Sequence, residues 1–333
     1  MVVAILNNGC VRRTTEASKI TFWFRKNGIL VTSLDNSPDA VIFVSCIYNE
    51  AKETHTRATL KKLNDLGKKV YLVGCFKDAF PTETYPNITA FPLKEYAQHL
   101  DAEFNLTYKL ADIKDHEVSN TLSIATGCIW NCAYCAIVKG VGNLKSKPLL
   151  EIESEINKYT EKQDLLLMGE DTGIWGMDLD EPFSKLVELL LASKPNILFD
   201  NMSAYAFMKN YASFEALSNA KKLRSIVVGV QHFNNDVLKA MNRPLLDFDL
   251  FKERILNLIG KGVNIHFYLM SGFPAETQEY AEEQLREVIY YTKHKVLFSI
   301  FNFHRKEGTN ILFPDIDTKE KQLRVARLLS IRN

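Results

Sequence analysis

Cys128, Cys132 and Cys135 lie within eight residues of one another, in a C-x3-C-x2-C spacing that directly follows an apolar, strand-like run at 121–125. Three thiolates this close suit one compact inorganic centre. A structural zinc site takes four ligands, commonly as two C-x2-C pairs. Here the local set stops at three, and no histidine lies between them or within ten residues on either side. Four-iron clusters normally take four thiolates, so three leave one iron open to bind something else. The spacing therefore predicts a cluster that does chemistry.

The other three cysteines are scattered, and only the elements around them can bring them together. Residues 2–6, 40–44 and 69–73 are continuous apolar runs, separated by helical stretches at 16–27 and 49–66. Alternation of this kind implies a parallel sheet covered on both faces. Cys10, Cys46 and Cys75 each stand just past the carboxyl end of one of these runs. In an open α/β sheet those ends form a single rim where ligands bind. A second iron–sulfur centre on Cys10, Cys46 and Cys75 is the expectation.

Residues 106–120 are polar and weakly patterned and are expected to be a linker, with His116 solvated. From residue 121 the alternation resumes, with strands expected at 121–125, 165–168, 197–202, 226–230, 265–269 and 296–303. Helices are expected between them at 149–159, 183–192, 211–219, 248–261 and 276–293. Six such units suit a partial (βα)6 TIM-type barrel, open on one side, with its site at the carboxyl ends of the strands. The fold class is thus α/β, an N-terminal open parallel-sheet (Rossmann/flavodoxin-like) domain at 1–105 followed by the barrel at 121–309. A mildly basic helical extension, read as a solvated closing helix, occupies 310–333.

Several strand ends carry polar residues suited to a small ligand. Gly169 lets the backbone approach it and Glu170 accepts hydrogen bonds from an ammonium. Gln231 and Arg243 follow the fourth barrel strand, and Arg243 is suited to a carboxylate. His232 and Arg305 point to the substrate side of the same mouth, with the 307–309 turn beside Arg305. Glu276 or Thr277 is expected to cap a helix, and the Gly140/Gly142 pair is weak evidence for a phosphate loop.

The cysteine segment, with Tyr134 in the aromatic place, resembles the radical S-adenosylmethionine (SAM) signature, C-x3-C-x-aromatic-C. The resemblance implies that the open iron chelates the amino and carboxylate groups of SAM, with Tyr134, Gly169, Glu170, Gln231 and Arg243 around it. An electron from an external one-electron donor then yields a 5′-deoxyadenosyl radical. A three-cysteine α/β domain ahead of such a barrel is similar to the methylthiotransferases. GC at 9–10, SC at 45–46, GC at 74–75, GEDTG at 169–173, VQ at 230–231, GFPAET at 272–277 and R-x-E-G-T at 305–309 follow that family's order. The likeness implies two [4Fe-4S] clusters and replacement of an unactivated C–H bond by C–S–CH3. The second cluster, on the scattered trio, would hold the sulfur. It also implies that both trios face one cleft.

GNLKSKP at 142–148 and EDTGIWGMD at 170–178 look closest to the branch acting on threonylcarbamoyladenosine in tRNA. The chain departs from the family at His232-Phe233-Asn234 and at 307–310, where substrate should lie, and it stops where the family usually continues into a small RNA-binding domain. With 41 Lys and Arg against 40 Asp and Glu, a net charge of +1, there is no global electrostatic footprint for nucleic acid. A peptide or protein side chain is the leading substrate and tRNA the alternative. A different reaction on the same two centres, and a two-cluster electron-transfer protein, are further readings.

The six cysteines come without a basic, apolar leader, so reduced cytoplasmic thiols are expected before disulfides. No apolar run approaches the roughly 18 residues of a membrane span.

Overall fold

The computed structural model describes residues 1–136, 140–161, 163–306, 309 and 311–331. It divides into two compact units, one of residues 1–119 with 136–142 and one of residues 120–135 with 143–333.

The first unit is built on a five-stranded, wholly parallel sheet. Its strands are β1 (Val2–Asn7), β2 (Leu30–Thr32), β3 (Ala40–Ser45), β4 (Lys69–Gly74) and β5 (Ile88–Ala90), in the order β2-β1-β3-β4-β5. Every residue of β3 is buried, as its unbroken apolar run requires for a central strand. Successive side chains point to opposite faces. Val41 and Phe43 therefore pack with Leu60, Leu63 and Phe76 on one side, and Ile42 and Val44 with Ile20, Trp23 and Phe24 on the other. The edge strands β2 and β5 are three residues each, too short to leave a period in the sequence.

Two expectations are corrected here. The first helix runs Val11–Lys26, five residues ahead of the stretch at 16–27, with Cys10 at its N-cap. Its opening turn has no apolar spacing because it buries Arg13 and Thr15 instead. The 106–120 stretch does not behave as a linker. Two 3-10 turns, Leu110–Asp112 and Asp115–Glu117, bury Leu110 and Ile113 in the first unit's core, and the buried Asp115 pairs with Lys19. Residues 136–142 also belong to this unit, with Ala136 and Val141 in its core.

The second unit contains β6 (Thr121–Ser123), a short antiparallel pair β7 (Ala125–Thr126) and β8 (Lys145–Ser146), and then β9 (Asp164–Met168), β10 (Asn196–Ser203), β11 (Leu223–Gln231), β12 (Asn264–Ser271) and β13 (Leu297–Asn302). Six of these form a parallel sheet in chain order, β13-β12-β11-β10-β9-β6, with β6 and β13 at its edges. Each expected barrel strand is present, and the helices Phe183–Ala192 and Tyr211–Asn219 have the expected bounds. The expected helix at 276–293 starts later, as Gln278–Lys293, because the Thr277 hydroxyl caps it by accepting from the Tyr280 N–H. The closing helix, Thr318–Ser330, is more than a solvated face: it buries Arg324, Val325 and Leu328. No helix among the described residues is long and apolar enough to cross a membrane.

Candidate iron–sulfur and cofactor sites

In the first unit, Cys10, Cys46 and Cys75 directly follow β1, β3 and β4 or their end loops, and these three strands are neighbours in the sheet. Local chemistry holds Cys46 and Cys75 in place. The Asn8 side chain accepts from the Cys46 N–H at 2.7 Å and donates to the Thr56 hydroxyl at 2.7 Å. Gly74, with φ +102°, lies so close to β3 that a Cβ would stand 2.2 Å from the Ser45 carbonyl oxygen. No other residue fits there, which explains the glycine before Cys75.

The thiols interact with one another. Cys10 accepts a hydrogen bond from Cys46, and this bond, helped by the Arg13 backbone N–H and the Arg13 and Arg12 charges, holds the Cys10 thiol down to about 5 against the opposing effect of burial. Donating to Cys10, and then burial, push Cys46 up, while burial pushes Cys75 up. All three are free cysteines.

In the second unit, Cys128, Cys132 and Cys135 occupy the loop after β7 and are partly exposed. The loop is tied to residues 241–243 at four points. The Ala133 N–H donates to the Met241 carbonyl at 2.9 Å, and the Asn242 side chain to the Asn131 carbonyl at 2.6 Å. Arg243 Nη1 reaches the Tyr134 hydroxyl at 2.9 Å and the Cys132 sulfur at 3.7 Å, while Nη2 holds the Gly229 carbonyl at 2.8 Å. Arg243, expected to meet a ligand carboxylate, thus braces the cysteine loop against β11. Burial, with Asp171 and the other two cysteines nearby, pushes the Cys128 thiol up to about 12.

Where the sequence points to Glu170, the structure gives the central place to its neighbour Asp171. It is buried and accepts from the Trp130 indole at 2.6 Å, the Ser203 N–H at 3.1 Å and the Gly173 N–H at 3.2 Å. One carboxylate therefore joins the cysteine loop to the ends of β9 and β10. Gln231 stands at the end of β11 with φ +69°, where the ladder to β12 shifts register. A non-glycine residue held in the left-handed region costs about 1–3 kcal/mol and marks a place where the backbone is aimed. Gly169 and Glu170 follow β9 in the same unit.

His232 and Arg305 are placed differently from the substrate contacts expected of them. His232 is wholly buried, its Nε2 3.7 Å from Glu276, and Glu276 is in turn buried against Arg324. Arg305 is engaged with the Asp315 carboxylate at 3.0 Å and with the carbonyls of Ile311 and Phe313. Glu307, Gly308 and Asn310 lie outside the described residues. The two stretches at 142–148 and 170–178 hold each other. The Ser146 N–H donates to Asp178 at 2.9 Å, the Gly176 N–H to the Ser146 hydroxyl at 2.8 Å, and the Trp175 indole to the Lys147 carbonyl at 2.9 Å.

Among the described residues no three His, Cys, Asp or Glu side chains close on a single metal ion. A four-iron cluster is ligated through separate irons, one thiolate to each, so a trio able to hold it need not converge on one point. Two all-thiol trios, with the Arg13 charge felt by Cys10 and Cys75 and Arg243 on Cys132, have the donor type that such a cluster takes.

The family model of the radical SAM superfamily matches residues 122–288. Similar proteins include the "probable threonylcarbamoyladenosine tRNA methylthiotransferase" of Methanocaldococcus jannaschii, 26% identical over all of this chain and 83% of the relative. The ribosomal protein uS12 methylthiotransferase RimO of a Hydrogenobaculum species is 27% identical over 99% of this chain and 83% of its own length. Among solved structures, the radical SAM methyltransferase TsrM from Kitasatospora setae, bound to cobalamin and a [4Fe-4S] cluster, superposes with a TM-score of 0.63 at 12% identity. It covers 93% of this chain and 76% of its own.

Proposed function

Because the chain belongs to the radical SAM superfamily and is similar from end to end to methylthiotransferases, we propose that it converts a C–H bond to C–S–CH3 on a macromolecular substrate. Cys128, Cys132 and Cys135 hold the [4Fe-4S] cluster at which SAM binds, and Cys10, Cys46 and Cys75 hold a second one. The observation that carries this reading is the gathering of Cys10, Cys46 and Cys75 at the ends of three adjacent strands.

When bound, SAM and the reduced cluster supply radical chemistry, which an unactivated C–H bond requires because it offers no acidic proton. The chain's own residues do the positioning. Arg243 and Asp171 both hold the cysteine loop, so that its thiolates are pre-arranged to take the cluster. Gly169, Glu170 and Gln231, at the ends of β9 and β11, supply the backbone approach and the polar groups for SAM. The electron comes from an external donor.

The substrate we favour is a peptide or protein side chain. The near balance of 41 basic and 40 acidic residues provides little general attraction for a phosphate backbone. The stretches that look closest to the tRNA branch are engaged with each other in the second unit. The test is anaerobic incubation of reduced, reconstituted protein with SAM and, in parallel, a uS12-derived peptide and an unmodified tRNA transcript. Formation of 5′-deoxyadenosine with a methylthiolated peptide is the expected result. A methylthiolated tRNA with steeply salt-dependent binding would move the substrate to RNA, and absence of 5′-deoxyadenosine would remove the enzyme reading.

A further inference from the structure

Arg13 stands one turn into the first helix, three residues past Cys10, and is only 3% exposed. A guanidinium closed off from water must find acceptors for its five N–H groups or pay a heavy desolvation cost. Nη2 has one, the Glu16 carboxylate at 2.9 Å. Nε and Nη1 have no hydrogen-bond partner.

The groups that feel its charge are Glu16, Cys75, Cys10 and Tyr96. Glu16 is a weak counter-ion, because burial pushes its carboxyl up. The arginine is also built into its place. A Cβ on Gly9 would stand 2.2 Å from the Arg13 Cβ, so the glycine before Cys10 is what allows the side chain to pass. A buried cation whose Nε–H and both Nη1–H groups are unfilled, beside the Cys10 and Cys75 thiols, is short of acceptors.

We propose that Arg13 is a positioning residue for the centre on Cys10, Cys46 and Cys75, its Nε–H and Nη1–H facing the anionic sulfur of that centre. This rests on the reading that the trio holds an iron–sulfur cluster. The potential of such a cluster is set by net charge, by hydrogen bonds to its sulfurs and by solvent exposure. A fixed positive charge in a poorly screened interior favours the reduced, more negative state. Arg13 therefore makes the centre easier to reduce than a neutral residue would.

The test uses the full chain carrying Cys128/Cys132/Cys135→Ala, reconstituted without oxygen, so that only the first trio contributes. Iron content and an EPR-monitored redox titration are compared for Arg13, Arg13→Lys and Arg13→Gln. We expect Arg13→Gln to lower the reduced-to-oxidised ratio at the parent midpoint roughly tenfold, which is about 59 mV for one electron. Arg13→Lys should keep most of the parent value. Iron lost from the Gln variant but retained by the Lys variant would also support the inference, since the cation is then needed to hold the centre at all. An unchanged midpoint in Arg13→Gln, or equal effects of Lys and Gln, overturns it. A parent protein with no iron at the first trio fails the cluster reading itself, and iron content reports that separately from any shift in potential.

Discussion

Each cysteine trio has an arginine beside it, and the two arginines are used in opposite ways. Arg243 has its Nη1 on the Tyr134 hydroxyl and near the Cys132 sulfur and its Nη2 on the Gly229 carbonyl. Arg13 pairs Nη2 with Glu16 and leaves Nε and Nη1 unfilled. The trios differ in the same sense. Cys128, Cys132 and Cys135 share one loop, which is too short to fix its own shape and needs a brace from β11 and from Asp171. Cys10, Cys46 and Cys75 come from three strand ends that the sheet already holds in register. A local trio needs its arginine as scaffold, whereas a trio placed by a sheet leaves its arginine free to act on what the trio holds.

That contrast predicts that Arg243→Ala has the larger effect on cluster retention. Removing the brace should cost the second unit's centre about 10–100-fold in iron affinity, the range for groups that orient ligands. Chelator competition on reconstituted protein would read it. Iron held as tightly as in the parent would mean that Arg243 does not scaffold the loop.

Gly74→Ala acts on the stability of the first unit and not directly on iron affinity. The Cβ must displace the Ser45 carbonyl, and the residue must hold φ +102°. A loss of about 3 kcal/mol is expected, at the upper end for a strained backbone position. Thermal melting would show it, and iron at the first trio should fall while SAM cleavage by the second persists. If SAM cleavage fell equally, the two sites would not be independent in the way the comparison requires.

The smallest effect is chemical. In metal-free protein the Cys10 thiol is held at about 5 by the bond from Cys46, while burial pushes Cys128 up to about 12. Above pH 5 Cys10 is mainly thiolate, whereas Cys128 stays protonated until strongly alkaline conditions. Alkylation at pH 6.5, mapped by mass spectrometry, should therefore label Cys10 ahead of Cys128. Loss of that preference in Cys46→Ala, which removes the donor, would sharpen the assignment.

Much of this architecture is legible in the amino-acid sequence. The apolar runs at 2–6, 40–44 and 69–73 became β1, β3 and β4, because a central parallel strand has no solvent face to encode. The six strands of the second unit were legible as short β-branched and apolar runs between helical stretches, and the adjacency of the three scattered cysteines followed from strand ends alone. What escaped notice were residues whose role depends on tertiary partners. Arg13 and Thr15 look like a solvated first turn, and only the fold buries them. Asp171 sits beside Glu170 with nothing in the sequence to show which carboxylate turns toward Trp130. Residues 106–120 look like a linker because their polar residues outnumber the two, Leu110 and Ile113, that anchor them. Arg305 and His232 occupy the expected strand ends, yet their side chains meet Asp315 and Glu276.

The most direct measurement is anaerobic iron and sulfide counting on the parent and on Cys10/Cys46/Cys75→Ala. Two four-iron centres predict about eight irons per chain falling to about four, with 5′-deoxyadenosine formation retained and methylthio transfer lost. Equal iron in the two proteins would contradict the account, because the first trio would then hold no centre.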